Sequence, residues 1–257
     1  MKKDNHHPEI VLPEDELKAE LRRRSRRGFL IRGLAAAGGV GFYEWLTKAG
    51  HEDDVAWPQR RVLDFNQKLA HGYLSDGHLM PIYAEREITY LKPNGDIGLD
   101  TDLNANSWRM SVGLEGAKPL QLRLSDIKAL PKVEMITRFC CIEGWSAIAS
   151  WGGARFSDFT RKFLPPGRQL PPYVYIATPD EEYYVGLDAK SAMHPQTLLA
   201  YEHNGKPLTE DHGAPLRLVI PVKYGIKNIK RIGSIKYTSQ KADDYWAEQG
   251  YDWFAGL

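Results

Sequence analysis

Two cysteines stand side by side in Thr137-Arg-Phe-Cys-Cys-Ile-Glu-Gly-Trp-Ser146, and the chain has no others. From Val133 to Cys141 the residues alternate with the period of a strand. Val133, Met135, Thr137, Phe139 and Cys141 share one face, and Glu134, Ile136, Arg138 and Cys140 share the other. Thiols on opposite faces disfavour a vicinal disulfide. Cys141 closes the strand, and Glu143-Gly144 follows. A soft thiolate, a carboxylate two residues on and a glycine that lets the backbone turn sharply make a corner suited to a soft metal. A cysteine taken alone more often packs as a small hydrophobe, which is the reading for Cys140. A second chemical set lies in the final third. Arg217 sits inside the apolar run Leu216-Arg-Leu-Val-Ile220, and Lys223, Lys227 and Lys230 fall in the Gly-containing loop that follows. A buried guanidinium wants a fixed anion, and loop lysines beside free backbone N–H groups make an anion cradle.

The elements that must hold these groups read as a mixed α+β domain. Asp64–Leu69 forms a short entry helix. The stretch from Leu74 to Asn106 is loop-like, with a short strand at Ile88–Leu91. Its Asp96, Asp100, Asp102, Asn104 and Asn106 lack the glycine and closing Glu of a helix-loop-helix calcium site, so it reads as a solvated loop. Ser107–Leu114 and Leu120–Leu124 alternate as strands, and Ser125 caps a short helix stopped by Pro131. After the cysteine strand, Trp145–Phe156 reads as a loop with two tryptophans and paired glycines. Ser157 caps the helix Asp158–Leu164, which Pro165-Pro166-Gly167 ends. Tyr173–Ala177 and Glu182–Leu187 are strands, and Leu198–Leu208 is a hairpin on an Asn204-Gly205 turn.

At 257 residues the chain can bury a sizeable core. Residues 1–32 hold nine Lys/Arg and six Asp/Glu, whereas the remainder holds 25 and 27. The folded part is therefore nearly neutral and lacks the basic field of a nucleic-acid binder. Two cysteines make neither a disulfide framework nor a Cys-rich zinc site. The charged N-terminus leads into Ser25-Arg-Arg-Gly-Phe-Leu30 and then a short Ala/Gly-rich apolar run, Gly33–Phe42. That layout is an export signal, and its Ser-Arg-Arg-x-Phe-Leu order resembles the twin-arginine signal, which carries folded proteins across the bacterial inner membrane. Residues 1–50 are thus read as signal and flexible N-terminus, and 51–257 as the functional domain. No clean cleavage site follows the apolar run, which leaves open an uncleaved anchor.

Taken together, Cys-Ile-Glu-Gly-Trp-Ser, the downstream Trp-x-Gly, Met193-His-Pro195, Asn204-Gly-x-Pro-Leu208, Asp211-His-Gly-Ala-Pro-Leu-Arg217 and Lys223-Tyr-Gly-x-Lys227 resemble the sulfite-oxidase superfamily of molybdenum enzymes. Within it they are most similar to the catalytic subunits of periplasmic methionine-sulfoxide reductases. The resemblance implies a strand-rich molybdopterin-binding fold, without the C-terminal β-sandwich dimerisation domain of sulfite oxidases. It implies a single pyranopterin dithiolene carrying one molybdenum, with Cys141 as the metal ligand and Glu143 as a proton-moving carboxylate beside it. Asn66, Thr178, His212, Arg217, Asn228, Ile229 and Lys230 are the implied cofactor-binding residues. The expected activity is two-electron oxygen-atom transfer that reduces a sulfoxide or another S- or N-oxide. A sulfite dehydrogenase and a non-catalytic exported cofactor-binding protein are the alternatives. No Cys-x-x-Cys-His haem motif is present, so the expected partners are a separate haem-containing electron carrier and the twin-arginine translocase, for a periplasmic monomer.

Overall fold

The computed structural model describes residues 13–257 except 53–54, 101–102, 104–106, 116, 165–166 and 168. Asp102, Asn104 and Asn106 of the acidic loop, and Pro165-Pro166 of the helix stop, lie outside the described residues. The chain divides into two units, one of Met1–His51 with Ala56–Pro58, the other of Glu52–Val55 with Gln59–Leu257. The first holds helix α1 (Glu14–Lys48), whose Phe29, Leu30, Ile31, Leu34, Val40 and Phe42 are exposed. No helix among the described residues is long and apolar enough to cross a membrane.

After the two-residue strands β1 (His51–Glu52) and β2 (Val55–Ala56), helix α2 runs over Trp57–Tyr73, much longer than the short entry helix the sequence suggested. The domain then builds two sheets. One is mixed: β3 (Met110–Leu114), β4 (Leu120–Leu122), β7 (Tyr173–Ala177), β8 (Tyr184–Asp188) and β12 (Ser234–Thr238) lie in the order β4-β3-β12-β7-β8. Only β12 with β3 is parallel; the other pairings are antiparallel. The second sheet is antiparallel and carries the cysteine strand. Here β5 (Lys132–Cys140), β6 (Ser146–Arg155), β9 (Leu198–His203) and β10 (Lys206–Pro207) lie in the order β10-β9-β6-β5, and β11 (Arg217–Val219) also pairs with β9. Short helices α3 (Leu124–Lys128), α4 (Phe156–Phe163), α5 (Ala189–Ala192) and α6 (Tyr245–Glu248) connect or close the sheets.

The expected alternation of β5 is observed: Met135, Thr137 and Cys141 are buried while Glu134 and Arg138 are exposed. Several expectations are corrected. Trp145–Phe156 is not a loop but the ten-residue strand β6, paired with β5 throughout. Its paired glycines are a packing device rather than a turn. The register shifts between Gly152 and Gly153, and a Cβ on Gly153 would collide with the Leu199 carbonyl of β9. Ile88–Leu91 forms no strand; Thr89 instead exchanges hydrogen bonds with Ile148 at the edge of β6. Helix α3 starts at Leu124, with Asp126 accepting from the Arg123 N–H at 2.7 Å, so Ser125 is not its cap. Helix α4 begins at Phe156, ahead of Ser157. The Asn204-Gly205 hairpin forms as expected, both residues at positive φ.

The main core packs the mixed sheet through Met110, Val112, Ile176, Leu187, Ile235 and Tyr237 against Phe156 and Phe159 of α4. A smaller core, with Met135, Ala149, Trp151, Ala200 and Val219, lies under the cysteine sheet. Packing of this kind gives the strand ends fixed positions, which a site built on them needs.

Candidate functional site

The β5–β6 connection is the tight turn Cys141-Ile-Glu-Gly-Trp145. The Cys141 N–H donates to the Trp145 carbonyl at 2.9 Å, and the Gly144 N–H donates to the Cys141 carbonyl at 3.1 Å. Gly144 sits at φ 90°, where a side chain would be strained. Cys141 lies one residue past the strand rather than at its last position. Its thiol faces a cavity of about 830 Å³, counting the open mouth, together with Glu143, Arg217, Asn228 and Lys230.

Burial raises the Cys141 thiol above the usual range, partly offset by the Glu143 N–H. Uncharged when free, it would have to lose its proton to ligate a metal. Glu143 is exposed and moves the opposite way: the Trp145 Nε1–H at 2.8 Å and the Asn94 amide hold its carboxyl below the ordinary value. At neutral pH it is a base.

Arg217 is fully buried beneath the cavity. It donates to the His212 carbonyl at 3.0 Å and the Asn228 carbonyl at 3.1 Å, and its guanidinium lies 4.7 Å from the centre of the Trp151 ring. Its Nε is buried with no partner. Burial lowers its pKa to about 10. Lys230 donates to the Gly95 carbonyl at 2.8 Å, and burial with the nearby Arg217 charge brings it to about 8. Neither has a salt-bridge carboxylate among the described residues. Asn228 is locked, accepting from the Ile220 N–H and donating to the Tyr224 carbonyl.

Three expected residues adjoin the cavity without lining it. Thr178 is buried in a turn, its hydroxyl committed to Asp180 at 2.6 Å and to the Tyr183 N–H. His212 stacks on His203 at 4.5 Å and contributes its carbonyl to Arg217. Ile229 buries its side chain, and its carbonyl accepts from the Leu218 N–H. Asn66 is exposed on α2 and is not brought to the cavity. The asparagine beside the thiol is Asn94, whose amide nitrogen is 3.7 Å from the Cys141 sulfur and 3.5 Å from Glu143. It comes from the Pro93-Asn94-Gly95 turn, whose only sequence signal was its turn chemistry.

Lys223 and Lys227, read as part of the anion cradle, turn the other way and are buried. Lys223 donates to the Phe254 carbonyl at 2.8 Å with Asp188 at 4.0 Å, and Lys227 pairs with Asp244 and the Gly186 carbonyl. They fasten the C-terminal tail. That tail places Trp246 and Tyr251 on the cavity wall beside Tyr183 and Ile226. Gly225 completes the wall; a Cβ there would lie 2.5 Å from the Phe139 ring. The wall offers one thiol, a carboxylate, two cations that form no salt bridge among the described residues, and an apolar mouth. That donor set suits a soft metal carried on an anionic, phosphate-bearing organic group.

Residues 97–246 match the family model for the oxidoreductase molybdopterin-binding domain. A protein from Azospira oryzae, provisionally named a protein-methionine-sulfoxide reductase subunit (YedZ1), is 36% identical over 90% of this chain and 88% of its own length. A protein-methionine-sulfoxide reductase catalytic subunit from Xanthomonas axonopodis pv. citri is 36% identical over 56% of this chain, and the chain spans about half (49%) of its length. The Campylobacter jejuni catalytic subunit is 35% identical over 63% of this chain and 60% of its own. Among solved structures, the sulfane dehydrogenase SoxCD from Paracoccus pantotrophus superposes with a TM-score of 0.49 at 18% identity, covering 55% of this chain and 40% of that one.

Proposed function

This chain belongs to the oxidoreductase molybdopterin-binding family, and we propose that it is an exported reductase of sulfoxides, working on a single pyranopterin dithiolene with one molybdenum. The molybdopterin group supplies two-electron oxygen-atom exchange. A sulfoxide, two electrons and two protons give a thioether and water. One observation carries the reading: Cys141 lines the same cavity as the buried Arg217, whose Nε has no hydrogen-bond partner and whose guanidinium has no salt-bridge carboxylate among the described residues. A soft ligand facing an unneutralised cation is the arrangement a metal-bearing anion needs.

In this reading the Cys141 thiolate holds the metal, and Arg217 and Lys230 neutralise the phosphate of the pterin. Asn228 and Ile229 shape the backbone around it. Asn94 orients toward the sulfur and toward Glu143. Glu143, a carboxylate at neutral pH, takes up and passes on the protons that leave as water. Trp246, Tyr251 and Tyr183 give the mouth an apolar wall suited to a thioether side chain. Electrons come from a separate haem-containing partner, in keeping with relatives named as subunits. The charged N-terminus and its Ser25-Arg-Arg-Gly-Phe-Leu30 motif direct the folded, loaded protein to the periplasm by the twin-arginine route.

The test is elemental analysis and electron paramagnetic resonance of exported protein, with steady-state assays of methionine sulfoxide reduction and sulfite oxidation. Wild type should carry one molybdenum and reduce the sulfoxide; Cys141→Ser should lose the signal and the turnover. Full metal content in Cys141→Ser would remove the proposed ligation, and turnover with sulfite alone would replace the substrate.

A further inference from the structure

Helix α2 is apolar on the side that faces solvent. At about 100° per residue, Leu63, Gln67, Ala70 and the following Leu74 fall on one face, and Ala70 and Leu74 pack against the main core. Val62, Phe65, Leu69 and Tyr73 form a separate stripe, centred about 125° around the helix from that face. They are 59%, 60%, 57% and 61% exposed, so the described residues leave them largely uncovered. Four large apolar side chains in one stripe are more than scattered surface hydrophobics. Tyr73 continues the stripe into an apolar groove with Leu79, Val222 and Leu257.

Charge indicates what covers this face. Lys68, on the flank of the stripe, borders a groove that also carries Lys190 and Lys241, and all three lysines are exposed. The other charged member of that groove, Asp188, is held by the Ser191 N–H and hydroxyl and lies 4.0 Å from the Lys223 ammonium. An apolar helix face with lysines along its border and a tyrosine at its end is the pattern of a helix lying in a membrane interface. Lysines near the surface add attraction for anionic headgroups. It is also the next helix along the chain from the charged and apolar N-terminal run.

We propose that α2 is an interfacial membrane contact, seating Val62, Phe65, Leu69 and Tyr73 among the acyl chains of an anionic bilayer with Lys68, Lys190 and Lys241 at the headgroups. The inference is independent of the molybdenum reading. Hydrogen exchange of the full chain, with and without vesicles of phosphatidylcholine and phosphatidylglycerol, tests it residue by residue. Binding through the N-terminal segment alone would leave α2 unchanged. Exchange over residues 62–73 should slow about tenfold on the anionic vesicles. Phe65→Asp/Leu69→Asp, at exposed positions, should abolish the slowing while leaving the exchange of β5 and β6 untouched. Lys68→Glu/Lys190→Glu should weaken it, most at low salt. Equal exchange with and without vesicles would overturn the proposal. So would slowing that appears only when the electron-transfer subunit is present in the membrane, which would make the stripe a protein-docking face.

Discussion

The stretch from Arg217 to Lys230 carries four basic side chains, three of them buried and Lys230 half-buried, and they are provided for in opposite ways. Lys223 and Lys227 find partners in the C-terminal tail and in β8: the Phe254 carbonyl with Asp188 nearby, and Asp244 with the Gly186 carbonyl. Arg217 and Lys230 line the cavity and, among the described residues, donate to carbonyls and form no salt bridge, with one guanidinium N–H left over. A buried charge with its counter-ion is part of the fold; a buried charge without one is a standing demand for an anion. One segment thus serves as latch on one side and as cavity wall on the other.

This contrast can be broken experimentally. Lys227→Met should have the largest effect. It leaves the Asp244 carboxylate, also accepting from the Gly186 N–H, buried and unpaired, so unfolding by denaturant should show a loss of about 3–5 kcal/mol. Lys227→Met/Asp244→Leu should recover much of it. Arg217→Met should behave in reverse. The apoprotein should change by no more than about 1 kcal/mol, because relief of desolvation offsets the lost bonds, whereas cofactor retention on dialysis should fall roughly a hundredfold. If Arg217→Met unfolds as readily as Lys227→Met, the division between latch and wall fails. Lys230→Met, at a less buried position, should cost about fivefold in retention, a difference that shrinks as salt screens the wild-type contact.

The last and most diagnostic effect is a slope rather than a step, and it concerns pH. Burial brings Lys223 down to about 6 from an ordinary 10.5. Between those values the unfolded chain holds a proton that the folded chain does not, so stability climbs as pH rises through that window. The climb is at most about 1.4 kcal/mol per pH unit from this one group. Below pH 6 the ammonium is charged in both states and the deficit is constant. Subtracting the curve of Lys223→Met from that of wild type should leave this climb alone. A flat difference would show Lys223 charged in the folded protein.

What could be read from the chain, and what could not, follows the range of the interactions involved. The face of Cys141 was legible because alternation along Val133–Cys141 is a local property of a strand, and the Asn204-Gly205 hairpin because two residues fix that turn. Ser146–Arg155 was missed because Gly152-Gly153 imitates a turn when the strand it must approach, β9, is unseen. Lys223 and Lys227 were misassigned because a lysine in a loop is nearly always solvated, and their partners lie in a tail that periodicity does not reveal. Asn94 was hidden for the same reason: an irregular loop brings it 3.7 Å from a sulfur 47 positions away. The exposure of Asn66 reflects the orientation of α2, whose solvent side is apolar and whose inward side is mixed, the reverse of what a pattern rule assumes.

Gly225 is the one residue of the cavity wall whose contribution is the atom it lacks. Phe139, which fills the space a Cβ would take, projects from the same strand face as Cys141 two positions on. An alanine at 225 would therefore push on the strand that bears the thiol, not merely on a neighbouring ring. The lining at this point is gauged by a single missing methyl, so widening the cavity by mutagenesis should start at Trp246 or Tyr251, where the wall can yield without carrying Cys141 with it.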